Sequence, residues 1–215
     1  MPYLGIQYCS VTMTKTVTPD RLTALEAELD ILLNKSRVSK RELESILHKL
    51  LWVSTCVKSS RVFVSRIIST MRLLKHNHHR VKMDAEIKAD FQWWRRFIRD
   101  FSGISLIESG IWTEPDKLCA GDACLSGGGA YTDLEYFSIK FPSFLNDTPI
   151  HILEFIVLII SCKVWGPTWG RLCITIYCDN ESVVQTIAHE KPKDKKLQSC
   201  LRELLYLESL FSFRV

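Results

Sequence analysis

Leu172-Cys173-Ile174-Thr175-Ile176-Tyr177-Cys178-Asp179-Asn180 is the stretch whose reading decides the fold. It is apolar and rich in β-branched residues up to Tyr177, the pattern of a short buried strand. Val183, Val184 and Ile187 follow at helical spacing, so the strand runs into a helix and delivers Asp179 at its carboxyl end. Open α/β sheets keep their chemistry at that edge. Asp and Asn also start helices simply by capping them. The role of Asp179 therefore turns on whether other acids converge on it.

Two such acids lie upstream. Ile150 to Trp165 is apolar on all sides, which predicts a buried helix, and Glu154 sits in its middle. A buried carboxylate is costly unless paired or metal-bound, and Lys163, the helix's own cation, is too far along to reach it. Lys117 to Asp122 reads as a short strand ending in an acid. Ser126-Gly127-Gly128-Gly129-Ala130-Tyr131 follows it. No helix opens after the glycines, so this is neither a P-loop nor a dinucleotide fingerprint. A hairpin whose small residues let another backbone come close fits better, with Tyr136 to Phe141 as the next strand. Past the Asp179 helix come a basic loop, Lys191 to Lys196, an amphipathic helix through Leu197, Leu201, Leu204, Leu205 and Leu207, and a strand beginning over Phe211 to Val215. Asp122, Glu154 and Asp179 on a strand, a buried helix and a neighbouring strand can meet at one point. Oxygen-only acidic clusters bind Mg²⁺ or Mn²⁺, and two such ions activate a water and stabilise the leaving oxygen in phosphodiester cleavage.

The first half is helical and basic. Two short strands, Tyr3–Tyr8 and one around Thr12–Val17, precede a helix capped by Thr18 with Pro19 at its first position. Leu22, Leu25, Leu29, Leu32 and Leu33 form its apolar face, and Lys35 to Val38 reads as a loop. Ser39-Lys40-Arg41-Glu42 is a capping box that opens a second helix. After a break at Ser59-Ser60 a third runs through Phe63, Ile67, Met71 and Leu74. His76-Asn77-His78-His79 lacks helical ligand spacing and reads as a polar loop rather than a metal site. Asp84 caps a fourth helix, which Gly103 ends; Trp94 belongs to its core stripe, while Trp93 is open between core and base stacking. The likeliest boundary lies within Ser102–Trp112, giving 1–110 and 111–215.

Charge separates the same two parts. Residues 1–110 hold 18 Lys/Arg against 11 Asp/Glu, and residues 111–215 hold 10 against 13. From Lys35 to Lys82 there are 12 Lys/Arg and only two acids, Glu42 and Glu44. An imbalance of that size favours phosphate contact, with Lys40, Arg41, Lys49, Lys58, Arg61 and Arg66 as the candidates. The eight cysteines form no CxxC pair, which fits free thiols in a reducing compartment. No signal peptide opens the chain, and Ile150–Val164 falls short of the about 20 residues a bilayer span takes. An intracellular protein, cytoplasmic or nuclear, with no membrane partner is expected.

Asp122-Ala123 with its glycine hairpin, Glu154 on the next helix and Tyr177-Cys178-Asp179-Asn180 resemble, in order and spacing, the ribonuclease H fold. The wording is closest to the ribonuclease H-like domains of retroelement polyproteins, particularly DIRS-like tyrosine-recombinase retrotransposons. Upstream, Tyr3-Leu4-Gly5-Ile6 resembles the strand that closes a reverse transcriptase palm. Glu42-Leu43, Lys49-Leu50 and Arg61-Val62-Phe63 resemble its thumb and connection helices, and Asp90, Trp93-Trp94 and Phe101-Ser102-Gly103 match the same region. His48, Ser59-Ser60 and Cys124 depart from the pattern: glycine or proline is expected at the first two and serine at the last.

The resemblance implies an α+β chain. A helical thumb and connection region (1–110) precedes an α/β ribonuclease H-like domain (111–215) with a mixed sheet flanked by helices. It implies that Asp122, Glu154 and Asp179 hold two Mg²⁺ or Mn²⁺ ions and hydrolyse the RNA strand of an RNA–DNA hybrid. Asn180 and Ser182 would touch the minor groove, where the 2′-OH distinguishes RNA from DNA. The intact parent would also carry an RNA-directed DNA polymerase domain upstream as a partner. The paired polymerase aspartates are absent from this sequence, and the family's fourth metal carboxylate would follow Val215, so a chain cut short with poor cleavage is expected. The alternative is an inactive remnant that grips duplex nucleic acid through Lys35–Lys82.

Overall fold

A computed structural model of the chain describes residues 2–3, 5–11, 14–56, 62–100, 104–106, 114–190, 192 and 194–215. The chain divides into two compact units, Met1–Glu108 and Ser109–Val215. The fold class is α+β: a helix-rich unit, then a mixed sheet with helices packed on it.

Unit 1 opens with three short strands, β1 (Pro2–Tyr3), β2 (Ile6–Cys9) and β3 (Thr14–Val17), joined later by β6 (Ile104–Leu106) in an antiparallel sheet of order β1-β2-β3-β6. Where one strand was expected over Tyr3–Tyr8 there are two, because Gly5 turns the chain with φ +86°, which a side chain resists. Helix α1 (Pro19–Leu33) has Pro19 in its first turn; Thr18 holds the cap position without a side-chain bond, and Asn34 ends the helix. Its buried leucines, Leu25, Leu29 and Leu32, face α4 (Ala85–Asp100).

Helix α2 (Lys40–Val53) starts at the expected capping box: the Glu42 N–H donates to Ser39 Oγ at 3.3 Å, and the Ser39 N–H donates to Glu42 Oε2 at 2.7 Å. The expected loop before it is instead strand β4 (Arg37–Ser39), paired antiparallel with β5 (Arg80–Lys82), a ladder that no local pattern announces. Helix α3 (Ser65–Arg72) stops before Leu74. The His76–His79 segment is a loop whose rings pack on one another. Asp84 Oδ1 accepts from the Ile87 N–H at 2.7 Å and opens α4. Trp94 is fully buried, its indole N–H donating to the Phe63 carbonyl at 3.3 Å. Trp93 is buried too, stacked on Phe97 with ring centroids 4.9 Å apart, so it belongs to the core and not to a base-stacking surface. The expected break at Ser59-Ser60, the helix end at Gly103 and all of the boundary segment Ser102–Trp112 except Ile104–Leu106, which forms β6, fall outside the described residues.

Unit 2 is built on a sheet of order β10-β7-β8-β9. Strands β7 (Lys117–Cys124), β8 (Gly127–Thr132) and β9 (Tyr136–Lys140) form an antiparallel meander, and β10 (Ile174–Tyr177) lies parallel to β7. Strand β7 does not stop at Asp122. Pairing with Gly127–Gly129 carries it to Cys124 and places Asp122 opposite Gly129. The glycines do what the pattern asked of them: a Cβ at Gly128 would stand 2.4 Å from Val157 on α5 (Ile150–Trp165), and one at Gly127 only 2.2 Å from the Ile139 carbonyl oxygen.

Helix α5 lies on β7 and β8, and α7 (Lys195–Phe211) packs on α5. With its following turn, α5 makes a run, Ile150–Thr168, that by length and composition alone is enough to cross a membrane, contrary to the sequence reading; 61% of its apolar window is buried inside the fold, as in a core helix. Helix α6 (Glu181–His189) follows β10. Asp194 caps α7 by accepting from the Leu197 N–H at 2.8 Å, so Lys195 and Lys196 belong to the helix and not to the basic loop; Lys191 and Lys193 lie outside the described residues. Phe211 ends α7 rather than starting a strand. The chain turns at Ser212 (φ +56°), and Arg214 makes a parallel bridge to Cys173.

Candidate metal centre

Glu154 stands one turn into α5, on a helix whose other residues there are apolar, and is 8% exposed. Asp179 lies two residues past the end of β10. The two readings of the Asp179-Asn180 pair separate cleanly. Asn180 is the cap, its Oδ1 accepting from the Ser182 N–H at 3.0 Å, which leaves Asp179 exposed and unused by the helix. The carboxylates of Glu154 and Asp179 and the thiol of Cys178 lie with one ligand atom each within 4.8 Å of one another.

The electrostatics of the group are those of unbalanced negative charge. The Glu154 carboxyl is pushed up from the ordinary carboxylate value, first by burial, then by the neighbouring charges of Asp179 and Asp122; hydrogen bonds from Asn180 and Cys178 oppose this only in part. The Cys178 S–H donates to Glu154 Oε2 at 3.7 Å. Burial also pushes the Cys178 thiol up, helped by the charges of Glu154 and Asp179. Lys163, the cation of the same helix, is engaged elsewhere, 2.8 Å from Glu203.

Asp122 is the third expected carboxylate. It is exposed on β7, accepts its neighbour's Ala123 N–H at 2.7 Å, and stays outside the close group while its charge still reaches Glu154. The structure thus brings two of the three acids together and adds a sulfur. Cys178 has no motif to announce it. In the sequence it looks like a core residue of an apolar run, yet it is half-buried and turned toward Glu154. Its position immediately before Asp179 is the one signal that could have found it.

No protein-family model matches the chain, and no curated protein matches it. Solved structures similar to it are of the foamy viral protease-reverse transcriptase. One is the dRH form in complex with double-stranded DNA, at 12% identity and TM-score 0.36 over 99% of this chain and 37% of that one. A second, in complex with an RNA/DNA hybrid, has 13% identity and TM-score 0.36 over 100% and 28%. A third, with double-stranded DNA, has 12% identity and TM-score 0.33 over 97% and 42%. The chain spans less than half the length of each, and the likeness is coarse.

The basic candidates of unit 1 are largely engaged. Lys40 pairs with Glu44 at 3.8 Å; Lys49 pairs with Glu28 and Arg66 with Glu86. Arg41 is exposed, and Lys58 and Arg61 lie outside the described residues. In unit 2, the Ser182 carbonyl accepts from Thr186 Oγ1 at 2.7 Å, and the side chain of Asn180 is used by its cap and by Glu154.

The donor set fits a divalent cation. Two neighbouring carboxylates supply hard oxygens, and a cation between them would remove the cost of holding Glu154 charged in a buried place. The two carboxylates suit Mg²⁺ or Mn²⁺, and the Cys178 sulfur adds a softer donor of the kind that Zn²⁺ accepts.

Proposed function

We propose that this chain is part of a retroelement reverse transcriptase of the DIRS-like or LTR type. In this reading residues 1–110 supply palm-end, thumb and connection elements, and residues 111–215 form a ribonuclease H-like domain that hydrolyses the RNA strand of RNA–DNA hybrids. The observation that carries it is the meeting of Glu154, from a buried helix, with Asp179, just past the end of strand β10 at the sheet edge beside β7. Glu154, Asp179 and Asp122 would hold Mg²⁺ or Mn²⁺, which when bound would lower the pKa of a water enough for it to lose a proton and serve as the nucleophile toward phosphorus, and would supply charge to stabilise the leaving oxygen. The protein's own part is to orient. Asn180 fixes the start of α6 with its oxygen and steadies Glu154 with a second hydrogen bond. The chain would act inside the cell, in cytoplasm or nucleus, beside the polymerase domain of its parent polyprotein.

The test is cleavage of a labelled RNA–DNA hybrid with Mg²⁺ and with Mn²⁺, by the chain and by its Asp179→Asn and Glu154→Gln variants. Metal-dependent cutting that both variants abolish is expected. Cutting that survives both would overturn the assignment.

A second reading, a duplex-binding module without cleavage, is favoured by one observation: Asp122 lies outside the close group. It predicts hybrid binding that falls steeply with salt and no product at any metal concentration.

A further inference from the structure

We propose that unit 1 carries a separate binding site for one unpaired nucleotide, in the groove between α1 and α2. The groove encloses about 520 Å³, within the range of small-ligand sites. Its walls are one stripe from each helix, both at i, i+3, i+4, i+7 spacing: Arg21, Ala24, Leu25 and Glu28 from α1, and Ser45, His48, Lys49 and Trp52 from α2. This places the same four levels of two helices opposite one another.

The chemistry of the groove is that of a base with its phosphate. Trp52 is a fixed aromatic wall, because it packs against Ile6, Val17 and Cys56. The bare Cα of Gly5 helps make room for it, since a Cβ there would stand 3.2 Å from both Trp52 and Arg21. Arg21 lies over the ring with its guanidinium carbon 5.6 Å from the centroid. Arg21 already rests against this face, so an incoming base would stack on the indole as the guanidinium swings aside to meet its phosphate. Toward the other end Lys49 rests on Glu28, beside exposed His48. Arg21 and Lys49 against the single acid Glu28 favour an anion beside the aromatic wall. Buried Leu25 gives the floor an apolar patch for the sugar.

The proposal rests on the reading that unit 1 handles nucleic acid, and it goes beyond that reading in naming a single-nucleotide site apart from duplex contact. Neither Trp52 nor Arg21 belongs to the metal centre.

The test is binding of a 5′-labelled ten-nucleotide oligothymidylate to the whole chain in EDTA at low salt, followed by fluorescence anisotropy, with thymidine 5′-monophosphate as competitor. Removing the stack with Trp52→Leu is expected to weaken binding about tenfold. Trp52→Phe should cost less and Arg21→Gln several-fold. Because Trp52 touches the core, Ala24→Phe serves as the second variant: it fills the groove from an exposed helical position and should weaken binding as Trp52→Leu does. A blunt-ended RNA–DNA hybrid should bind all four variants as it binds the parent chain. Competition by the monophosphate would show that the groove takes a free nucleotide; competition by oligonucleotide alone would show that it takes a nucleotide within a strand, and either supports the site. Oligonucleotide affinity unchanged in Trp52→Leu and Ala24→Phe, with the hybrid still bound, overturns the site and leaves the reading of unit 1 standing. No binding of either nucleic acid overturns both, and the omission of metal keeps that result independent of the centre at Glu154.

Discussion

The two units hold some of their acids in different ways. In unit 1, several acids on α1, α2 and α4 sit against cations. Glu42 takes Lys35 at 2.5 Å and its carboxyl is pulled down to about 2, first by that Lys35 bond and then by Ser39; Glu26 takes Arg99 at 2.8 Å, and Glu28, Asp30 and Glu86 take Lys49, Arg95 and Arg66. In unit 2, burial pushes carboxyls up: Glu154 is raised among its acidic neighbours, and half-buried Glu208 is pushed up to about 7, by desolvation first and by Glu190, against a hydrogen bond from the Val215 N–H. The lesson concerns charge counts. In unit 1 several of the cations are already matched with acids, so fewer of them stand free for phosphate than the count suggests. The smaller acidic excess of unit 2 includes buried carboxyls whose neighbours offset their desolvation only in part, and such charge is where a cation gains most.

The largest effect expected is at the metal centre. Asp179→Asn should lower hybrid cleavage by a factor on the order of 10²–10³, as the loss of a preorganised charge partner does. Without metal, Glu154→Gln should raise the melting temperature by about 2–4 °C, because it removes a carboxylate whose charged form burial disfavours. Added Mn²⁺ should stabilise the parent chain and leave Glu154→Gln where it was. If the variant loses stability in EDTA, the contrast between the units is wrong at its centre.

Next comes acidity. Glu208 holds a proton in the native state up to about pH 7 that the unfolded chain releases near the ordinary carboxylate value, so stability should fall as pH rises through that window and level off above it. Urea unfolding from pH 5 to 8 should show a loss of about 1–3 kcal/mol that Glu208→Gln largely removes. A flat profile in the parent chain would show that Glu208 keeps its ordinary acidity.

Glu42 should respond in the other direction. Its lowered acidity adds stability above the ordinary carboxylate value, lost as pH falls toward about 2. Glu42→Gln should cost about 1 kcal/mol at pH 7 in denaturant unfolding, the scale of a helix cap with a solvent-screened ion pair. A cost that persists unchanged at pH 2 would mean that packing, not charge, is involved.

The smallest effects separate free from engaged cations. Arg41→Gln should reduce the salt slope of duplex binding by about one, and Lys49→Gln by less, because Lys49 must first leave Glu28. Equal changes would show that the ion pairs of unit 1 give way to phosphate without cost.

By itself the sequence determined what is local. The Ser39–Glu42 capping box, the Asp84 cap, Pro19 opening α1, the all-apolar α5 and the glycines of β8 were legible because each depends on neighbours a few residues away. It also gave the order in which acid-bearing strands and helix recur, and so the α+β class. Only the tertiary structure decided what depends on residues brought from afar. It paired Arg37–Ser39 with Arg80–Lys82 where a loop was expected, and it sank Trp93 into the core because Phe63 and Phe97 close over it. It matched the cations of α2 and α3 with acids on α1 and α4. It set Cys178 beside Glu154 and left Asp122 exposed, outside the close group. Which side chains share a few cubic ångströms is fixed by packing across the whole unit, and spacing along the chain does not encode it.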